Sequence, residues 1–287
     1  MTHSESTTTA VLDPPRLRSA NEPEASSTVG YEPEWHAQWS DNAHIPPVEW
    51  LLANWIYPNR LEDFRDKEVL EGGCGGGHLM AVVQPYARRL VGLDMSADAV
   101  ARERFADQDN VEVRRGNLLT YDTSERFDIV YSVGVLHHTD DPDRGFANLA
   151  RLVRPGGRMI VWVYSHEGNA LLRWLIEPFR KLVCRRLSRR AVQAMSTMAT
   201  ACVWPVVHTL YRLPLGFLPY YEYFKDFRNL SFRRNVLNVF DKLNAPQTTP
   251  IAEQRIREWF DPAEFEDIHI SSYRNVSWRG SGTRRAG

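Results

Sequence analysis

The hydrophobic positions between residues 67 and 165 fall into short runs that alternate with amphipathic segments. The runs are EVLEGG, RLVGLD, VEVRRGN, FDIVYSV and RMIVWVY, which have the length and composition of buried β-strands. Between them, HLMAVVQPYA, SADAVARERFA and DDPDRGFANLARLVRPGG have helical periodicity, and Ser96 is the predicted N-cap of the second helix. Strands and helices that alternate in this way predict a parallel sheet covered by helices on both faces.

The alternation stops between residues 166 and 249 and resumes near the end of the sequence. Residues 250–287 contain one further helical segment, IAEQRIREWF, and two strand-like runs, FEDIHISSY and VSWRGSG. We therefore predict an α/β core over residues 67–165 that residues 250–287 complete. Residues 166–249 are then a helical insertion, or lid, placed after the fifth strand.

Two different segments precede the core. Residues 1–30 are rich in Ser, Thr, Pro and Glu and contain few large apolar side chains, which predicts a disordered tail. Residues 31–66 predict a helical cap, because their apolar residues recur at helical spacing and include Trp35, Trp39, Trp50 and Trp55. This cap either packs on the core through an apolar stripe or closes a substrate pocket.

The overall composition narrows the partners and the compartment. Hydrophobic residues make up 43% of the chain and charged residues 25%, and a net charge of −1 provides no field that would attract a nucleic acid. The three cysteines, Cys74, Cys184 and Cys202, fit neither a disulfide framework nor a metal knuckle. The first residues also lack the pattern of a secretory signal. We therefore expect a cytoplasmic protein.

The first strand runs into a glycine-rich turn at residues 71–77, and a helical segment follows. Such a turn lets the backbone approach a nucleotide near a helix N-terminus. The dinucleotide pattern G-x-G-x-x-G fails because His78 stands where glycine is needed, and the Walker pattern fails because no Gly-Lys-Ser/Thr follows. The pattern that fits is acid-x-G-x-G-x-G, at Glu71, Gly73, Gly75 and Gly77.

Asp94 ends the strand that follows this turn. With the glycine pattern and the stretches RRGNLL, FDIVYSVGVLHHTDDP and LARLVRPGGRMIVWVY, the sequence resembles class I S-adenosylmethionine-dependent methyltransferases of the small-molecule, type 11/25 domain group. The resemblance implies a Rossmann-like sheet of seven strands in the order 3-2-1-4-5-7-6, with strand 7 antiparallel. It also implies S-adenosylmethionine as the cofactor and a small molecule as the methyl acceptor.

The same resemblance implies roles for residues around the cofactor. Glu71 holds the ammonium group, while the methionine moiety and ribose lie over Gly73, Gly75 and Gly77. The Asp94 carboxylate accepts from two ribose hydroxyls, unless it serves only as a helix N-cap. Asn117 replaces the usual acid, and its carbonyl oxygen can still accept from the adenine amino group. Further cofactor contacts are implied for Cys74, Met95, Leu118 and Ser132.

His137, directly after the fourth strand, is the predicted catalytic residue. Positioning and desolvation accelerate displacement at a sulfonium, so a general base is optional, but a neutral imidazole can accept the proton of the acceptor. Some relatives pair such a histidine with an N-terminal tyrosine, here Tyr31. The alternative is a packing role at a helix start. The nearby acids suit a helix N-terminus, with Asp141 before Pro142, and predict no metal site.

The insertion combines basic and apolar residues. Seven Lys and Arg residues stand between positions 173 and 190 against the single acid Glu177, and residues 191–211 carry no formal charge. Polar residues and Pro205 make that stretch a poor membrane span. We expect residues 170–225 to form a lid or to pack on the core, with a homodimer contact and a peripheral membrane contact as alternatives. A basic lid with an apolar underside suits a hydrophobic or anionic acceptor, and Asn238, Phe240 and Asp241 are candidate pocket residues.

These observations predict O-, N- or C-methylation of a small molecule. Enzymes that methylate base amines usually carry Asn/Asp-Pro-Pro-aromatic after strand four, where this chain has residues 132–135, SVGV, so we expect no nucleic-acid substrate. Two other functions stay open, an NAD-linked Rossmann oxidoreductase and a non-catalytic scaffold that binds S-adenosylmethionine.

Overall fold

The computed structural model describes residues 32–286, and the predicted tail and Tyr31 lie outside the described residues. The strands are β1 (Glu68–Gly72), β2 (Arg89–Asp94), β3 (Val111–Arg115), β4 (Phe127–Val133), β5 (Val153–Tyr164), β6 (Phe265–Tyr273) and β7 (Ser277–Arg284). The α-helices of the described part are α1 (Glu32–Asp41), α2 (Glu49–Trp55), α3 (Met80–Val83), α4 (Asp98–Arg104), α5 (Pro142–Ala150), α6 (Glu177–Leu182), α7 (Arg189–Thr209), α8 (Tyr221–Asn229), α9 (Phe232–Asn244) and α10 (Glu253–Trp259).

The strands form one seven-stranded sheet in the order β3-β2-β1-β4-β5-β7-β6. The neighbours from β3 to β5 pair in parallel, and β7 runs antiparallel to both β5 and β6. This confirms the predicted strand order and the predicted antiparallel strand 7.

Both faces of the sheet are buried, which explains why its central strands read as continuous apolar runs. Neighbouring residues point to opposite faces: Leu70 and Val91 belong to one apolar cluster, while Val69 and Leu90 belong to the other. The carboxyl ends of β1, β2 and β4 therefore lie side by side at one edge of a rigid layer, where a ligand can be held.

Three local predictions about helices need correction. The segment DDPDRGFANLARLVRPGG is helical only over Pro142–Ala150, because its last residues pair in the sheet as the start of β5 at Val153. The segment after the glycine turn is helical only over Met80–Val83, because residues 73–79 wind as successive turns. Ser96 does not cap α4. Asp94 accepts hydrogen bonds from the backbone N–H groups of Ser96 and Ala97, both at 2.8 Å, and the helix begins at Asp98.

The start of α5 agrees with its sequence pattern. The Asp141 side chain accepts a hydrogen bond from the Arg144 N–H at 3.0 Å, and Pro142 occupies the first turn. These residues build the beginning of a helix, as predicted.

Helices α6 to α9 lie between β5 and α10 in the chain. Directly outside β5, Ser165 pairs with Ile251 in an isolated parallel bridge. The Ile251 N–H donates to the Tyr164 carbonyl at 2.8 Å, and the His166 N–H donates to the Ile251 carbonyl at 2.9 Å. The chain therefore leaves the sheet and returns to it at the same place.

Candidate active site

Only some positions of the glycine turn have a backbone conformation that requires glycine. Gly73, Gly75 and Gly77 have φ values of +81°, +52° and +76°, in the left-handed region that favours glycine. Gly72 and Gly76 are not in that region. The three left-handed positions are those of the acid-x-G-x-G-x-G pattern, so the sequence register has a conformational basis.

Asp94 ties the turn to the end of β2. One carboxylate oxygen accepts from the Gly75 N–H at 2.8 Å, and the other accepts from Ser96 and Ala97. A carboxylate has about four acceptor positions, so three are in use. One position is free for a ribose hydroxyl, and the predicted contact with two hydroxyls requires one backbone N–H to leave.

Glu71 is the buried acid at the end of β1. Its side chain accepts a hydrogen bond from the Tyr131 hydroxyl at 2.6 Å, and the residue is 1% exposed. Burial raises the pKa of Glu71 to about 8, although the Tyr131 hydrogen bond opposes this shift. Glu71 is therefore a neutral acid at physiological pH that a neighbouring cation would ionise.

A cavity of about 630 Å³ opens above this end of the sheet. Its floor includes Glu71, Gly73, Cys74 and the end of β4 at Val133. Its walls and roof come from the first two helices, from the end of β5 and from the insertion. Their aromatic residues are Trp39 and Trp55, Trp162 and Tyr164, and Tyr211, Tyr220, Tyr223, Phe224 and Phe227, respectively. The parallel sheet thus supplies one side of the site and the insertion supplies the opposite side.

Helix α9 presents a polar stripe to the cavity, formed by Arg234, Asn238, Asp241 and Lys242. Asp241 accepts from the Gln38 amide at 3.0 Å. The Lys242 ammonium lies 5.5 Å from the ring centroids of both Tyr164 and Tyr223. Burial lowers the pKa of Lys242, but electrostatic interactions with Tyr164, Tyr223 and Asp241 outweigh burial and raise it. Asn238 and Asp241 line the cavity, as predicted. Phe240, the third predicted pocket residue, packs with Cys184 and Val192 instead.

The Arg234 side chain forms no ion pair or hydrogen bond with any described residue, although the charge of Asp241 opposes the effect of burial on its pKa. Its Nε atom is buried without a partner within residues 32–286, and burial lowers the pKa of the guanidinium. A buried donor without a partner is costly, and a planar guanidinium suits a carboxylate or phosphate. Arg234 is thus available to an anionic ligand.

Helix α1 covers the glycine turn. A Cβ atom on Gly75 would lie 2.8 Å from the Trp39 indole, and the Trp39 and His78 ring centroids are 5.3 Å apart. Gln38 bonds both Asp241 and the Asn244 side chain of α9, each at 3.0 Å. Helices α1 and α9 are therefore linked directly above the turn.

The predicted cofactor residues divide into two groups. Glu71, Gly73 and Cys74 line the cavity. The remaining ones lie under the turn or beside it and do not belong to the described lining: Gly75, Gly77, Asp94, Met95, Asn117, Leu118 and Ser132. Within this second group, Gly75 is the residue that Trp39 covers.

Some members of the second group support the turn from below. Ser132 is fully buried and donates to the Gly72 carbonyl at 2.8 Å, and Leu118 is part of the core. The Asn117 side-chain oxygen accepts from the Leu119 N–H at 2.9 Å and so shapes the loop after β3. Burial raises the pKa of Cys74, which therefore has the character of a packed thiol.

The structure places His137 behind the cavity wall. Its ring centroid lies 4.2 Å from that of Tyr164, which lines the cavity, and 4.3 Å from that of His138. Both ring nitrogens lack a hydrogen-bond partner among the described residues. Burial lowers the pKa of His137 well below its ordinary value, so the imidazole is neutral.

Two further properties follow from the part of the chain that the structure describes. Within residues 32–286, no three His, Cys, Asp or Glu side chains are grouped to hold a metal ion. No helix in the same range combines the length and the hydropathy needed to cross a bilayer.

The sequence analysis did not identify several residues of the cavity. Arg234, Lys242 and Tyr164 carry no motif, and only the folded arrangement of α9 against β5 brings them together. One available signal was the spacing from Arg234 to Asn238 and on to Asp241, which places polar residues on one face of a helix.

Comparison with known proteins agrees with this geometry. A family model described as "Methyltransferase domain" matches residues 70–159. An uncharacterized protein of Synechococcus sp. is 34% identical over 148 residues, which are 46% of this chain and 34% of that protein. A ubiquinone biosynthesis O-methyltransferase of Coxiella burnetii is 31% identical over 142 residues, which are 47% of this chain and 59% of that enzyme.

The chain thus spans between one third and three fifths of the length of these relatives. In structure, an O-methyltransferase family protein from Burkholderia thailandensis has the same fold, with a TM-score of 0.53 at 13% identity, covering 93% of this chain and 65% of that one. Residues 70–159 are thus similar to a methyltransferase domain, and the sheet that contains them has the fold of the Burkholderia protein.

Proposed function

We propose that this protein transfers a methyl group from S-adenosylmethionine to a small-molecule acceptor and releases S-adenosylhomocysteine. The observation that carries the proposal is the left-handed glycine turn between Glu71 and Asp94, of which Gly73 and Cys74 line a cavity of about 630 Å³. The buried Glu71 carboxyl suits an ammonium group, and Asp94 has an acceptor position free for a ribose hydroxyl.

The acceptor in this proposal has an apolar body and an anionic group. Aromatic side chains form most of the wall opposite the glycine turn. Arg234 and Lys242 are cations of that wall that form no ion pair with a described residue, and the Arg234 guanidinium can bind carboxylate or phosphate in a planar, bidentate manner.

In the proposed reaction, a nucleophilic oxygen, nitrogen or carbon of the acceptor attacks the methyl carbon in line with the C–S bond, which breaks. The cofactor supplies the electrophilic methyl group and a neutral thioether as the leaving group. The chain orients the two reactants and excludes water through Trp39 and the insertion. We retain His137 as the proposed proton acceptor, and Tyr164 stands between its ring and the cavity.

The test of cofactor use is a comparison of Asp94→Ala with Asp94→Asn. Asp94→Ala removes every acceptor at this position, so we expect binding of S-adenosylhomocysteine to be abolished in calorimetry. Asp94→Asn retains one carbonyl oxygen and should bind about tenfold or more weakly. NAD serves as the control ligand. Binding of NAD without S-adenosylhomocysteine would overturn the proposal in favour of the oxidoreductase, and cofactor binding without turnover of labelled methyl donor over a metabolite library would favour the scaffold.

The acceptor class is tested by Arg234→Gln with Arg234→Lys as the control. With an anionic acceptor from that library, Arg234→Gln should raise KM about tenfold or more while leaving the affinity for S-adenosylhomocysteine unchanged. Arg234→Lys keeps the charge and should recover part of the loss. Equal KM values in all three proteins would contradict an anionic acceptor.

The proposal also includes a contact through residues 170–225, with a membrane surface or with a second copy of the chain. We place the activity in the cytoplasm, which is consistent with three cysteines that form no disulfide in the described structure.

A further inference from the structure

Exposed apolar side chains are concentrated in one segment of the insertion. Among the described residues, every large apolar side chain with high exposure except Tyr57 lies between Leu171 and Phe217. Trp174 is 77% exposed and Phe217 is 81% exposed. Surface apolar residues are normal when they are scattered, but a concentration of this kind marks an interaction site.

The main members of this group lie close together. Leu171, Leu175 and Leu182 recur at helical spacing, so they share one side of the helical segment that begins the insertion. The Leu171 N–H donates to the Tyr220 hydroxyl at 3.0 Å, and the Tyr221 hydroxyl donates to the Leu213 carbonyl at 2.9 Å. We call the surface formed by Leu171, Trp174, Leu175, Leu182, Leu213 and Phe217 the insertion face.

The same segment is strongly basic. Residues 171–217 contain eight Lys and Arg residues and one acid, Glu177, a net charge of +7. Several of these cations are engaged within the protein, for example Arg180 with Glu177 and Arg189 with Asp41. Arg186, Arg190 and Arg212 are exposed and form no ion pair with a described residue. The net positive charge and these unpaired arginines therefore favour an anionic partner.

The cavity reaches the surface at this segment. Leu171, Ala199 and Pro219 each line the cavity and are also exposed. An apolar molecule that crosses this rim passes from the insertion face into the aromatic interior without entering bulk water. The face and the cavity thus form a continuous apolar route.

We propose that the insertion face binds the surface of an anionic lipid bilayer and takes up its acceptor from the lipid. Exposed Trp and Leu side chains beside Lys and Arg are the combination that anchors a helix in the headgroup region. The absence of a bilayer-crossing helix within residues 32–286 is consistent with an attachment at the surface. The uptake of the acceptor rests on the proposed methyltransferase function, whereas the lipid contact does not.

The experiment is flotation of the full chain with vesicles of phosphatidylcholine alone or mixed with phosphatidylglycerol. We expect the wild type to float with the mixed vesicles at low salt and to be released largely at high salt. The double variant Trp174→Ser, Leu175→Ser should lower the partition coefficient about tenfold or more, because both side chains are exposed and do not contribute to the core. Arg186→Gln with Arg190→Gln should weaken flotation only with the anionic vesicles. The control is Arg88→Gln, which removes an exposed arginine outside the insertion face and should leave flotation unchanged.

Light scattering and calorimetry complete the test. Failure of the wild type to float with either vesicle at low salt overturns the proposal. A dimer that the Trp174→Ser, Leu175→Ser variant converts to a monomer, without any flotation, assigns the face to self-association and also overturns it. Binding of S-adenosylhomocysteine is measured on each protein, so loss of the lipid contact and loss of the cofactor site are distinguished.

Discussion

Gly75 and its neighbour Gly76 differ in what an added side chain would meet. At Gly75 the backbone is left-handed, and a Cβ atom would lie 2.8 Å from the Trp39 indole. At Gly76 the backbone is not left-handed, and the nearest atom to a Cβ would be 3.4 Å away. The turn therefore requires glycine at position 75, whereas position 76 can accept a small side chain.

We predict that Gly75→Ala lowers the free energy of unfolding by about 1–3 kcal/mol, from left-handed strain and the Trp39 clash. The affinity for S-adenosylhomocysteine should fall by about tenfold or more, because the turn shifts against Asp94. Gly76→Ala should change stability by less than about 1 kcal/mol. Urea unfolding and calorimetry measure both effects, and equal losses in the two variants would contradict this account of the turn.

Glu71 predicts a pH dependence of stability. Burial raises its pKa to about 8 from an ordinary value of 4.5, so the folded protein keeps the proton over a range where the unfolded chain loses it. The stabilisation linked to this group is full below about pH 4.5 and is lost as the pH rises through about 8. Glu71→Gln should therefore flatten the fall in unfolding free energy between these pH values, measured by urea unfolding.

Because Glu71 is protonated in the folded protein, we also predict that cofactor binding releases a proton. An ammonium group beside Glu71 favours its carboxylate, so binding of S-adenosylhomocysteine near neutral pH should release about one proton. Calorimetry in buffers of different ionisation enthalpy detects that proton, and Glu71→Gln should abolish it. The same proton release from the Gln variant would assign the effect to another group.

At the scale of elements, α1 connects the glycine turn to helix α9 of the insertion. Trp39 contacts the turn, and the neighbouring Gln38, which is 1% exposed, joins α1 to α9 by two hydrogen bonds. Because Gln38 and Trp39 both line the cavity, we expect this connection to slow the release of a ligand bound at the glycine turn.

We predict that Gln38→Ala lowers stability by about 1–3 kcal/mol, because it removes two side-chain hydrogen bonds between α1 and α9 at a buried position. Dissociation of S-adenosylhomocysteine should accelerate several-fold in stopped-flow experiments. His36→Ala lies on the exposed side of the same helix and should change neither quantity appreciably. An unchanged dissociation rate in Gln38→Ala would show that α1 does not retain the ligand.

At the scale of the whole molecule, the sequence predicted the features that depend on residues close together in the chain, such as the strands and the glycine turn. The apolar runs predicted a sheet buried on both faces, and the family resemblance implied its strand order. The three glycines of the predicted pattern are the ones that the structure shows in the left-handed region. Ser96 was wrong as a cap because Asp94, two residues earlier, already satisfies the N–H groups at that helix start. Arg234 could not be predicted, since its place in the cavity depends on how the insertion folds over β5.

The insertion leaves the sheet after Tyr164 and returns at Ile251, where the two chain segments are hydrogen-bonded to one another. Because its two ends meet, a segment of another length or shape could be spliced in here at little cost in loop closure and without disturbing the strand register. Under the proposed function, the sheet would hold the cofactor and the exchangeable insertion would select the acceptor. A chimera that exchanges residues 166–249 should change what is methylated while keeping the methyl donor.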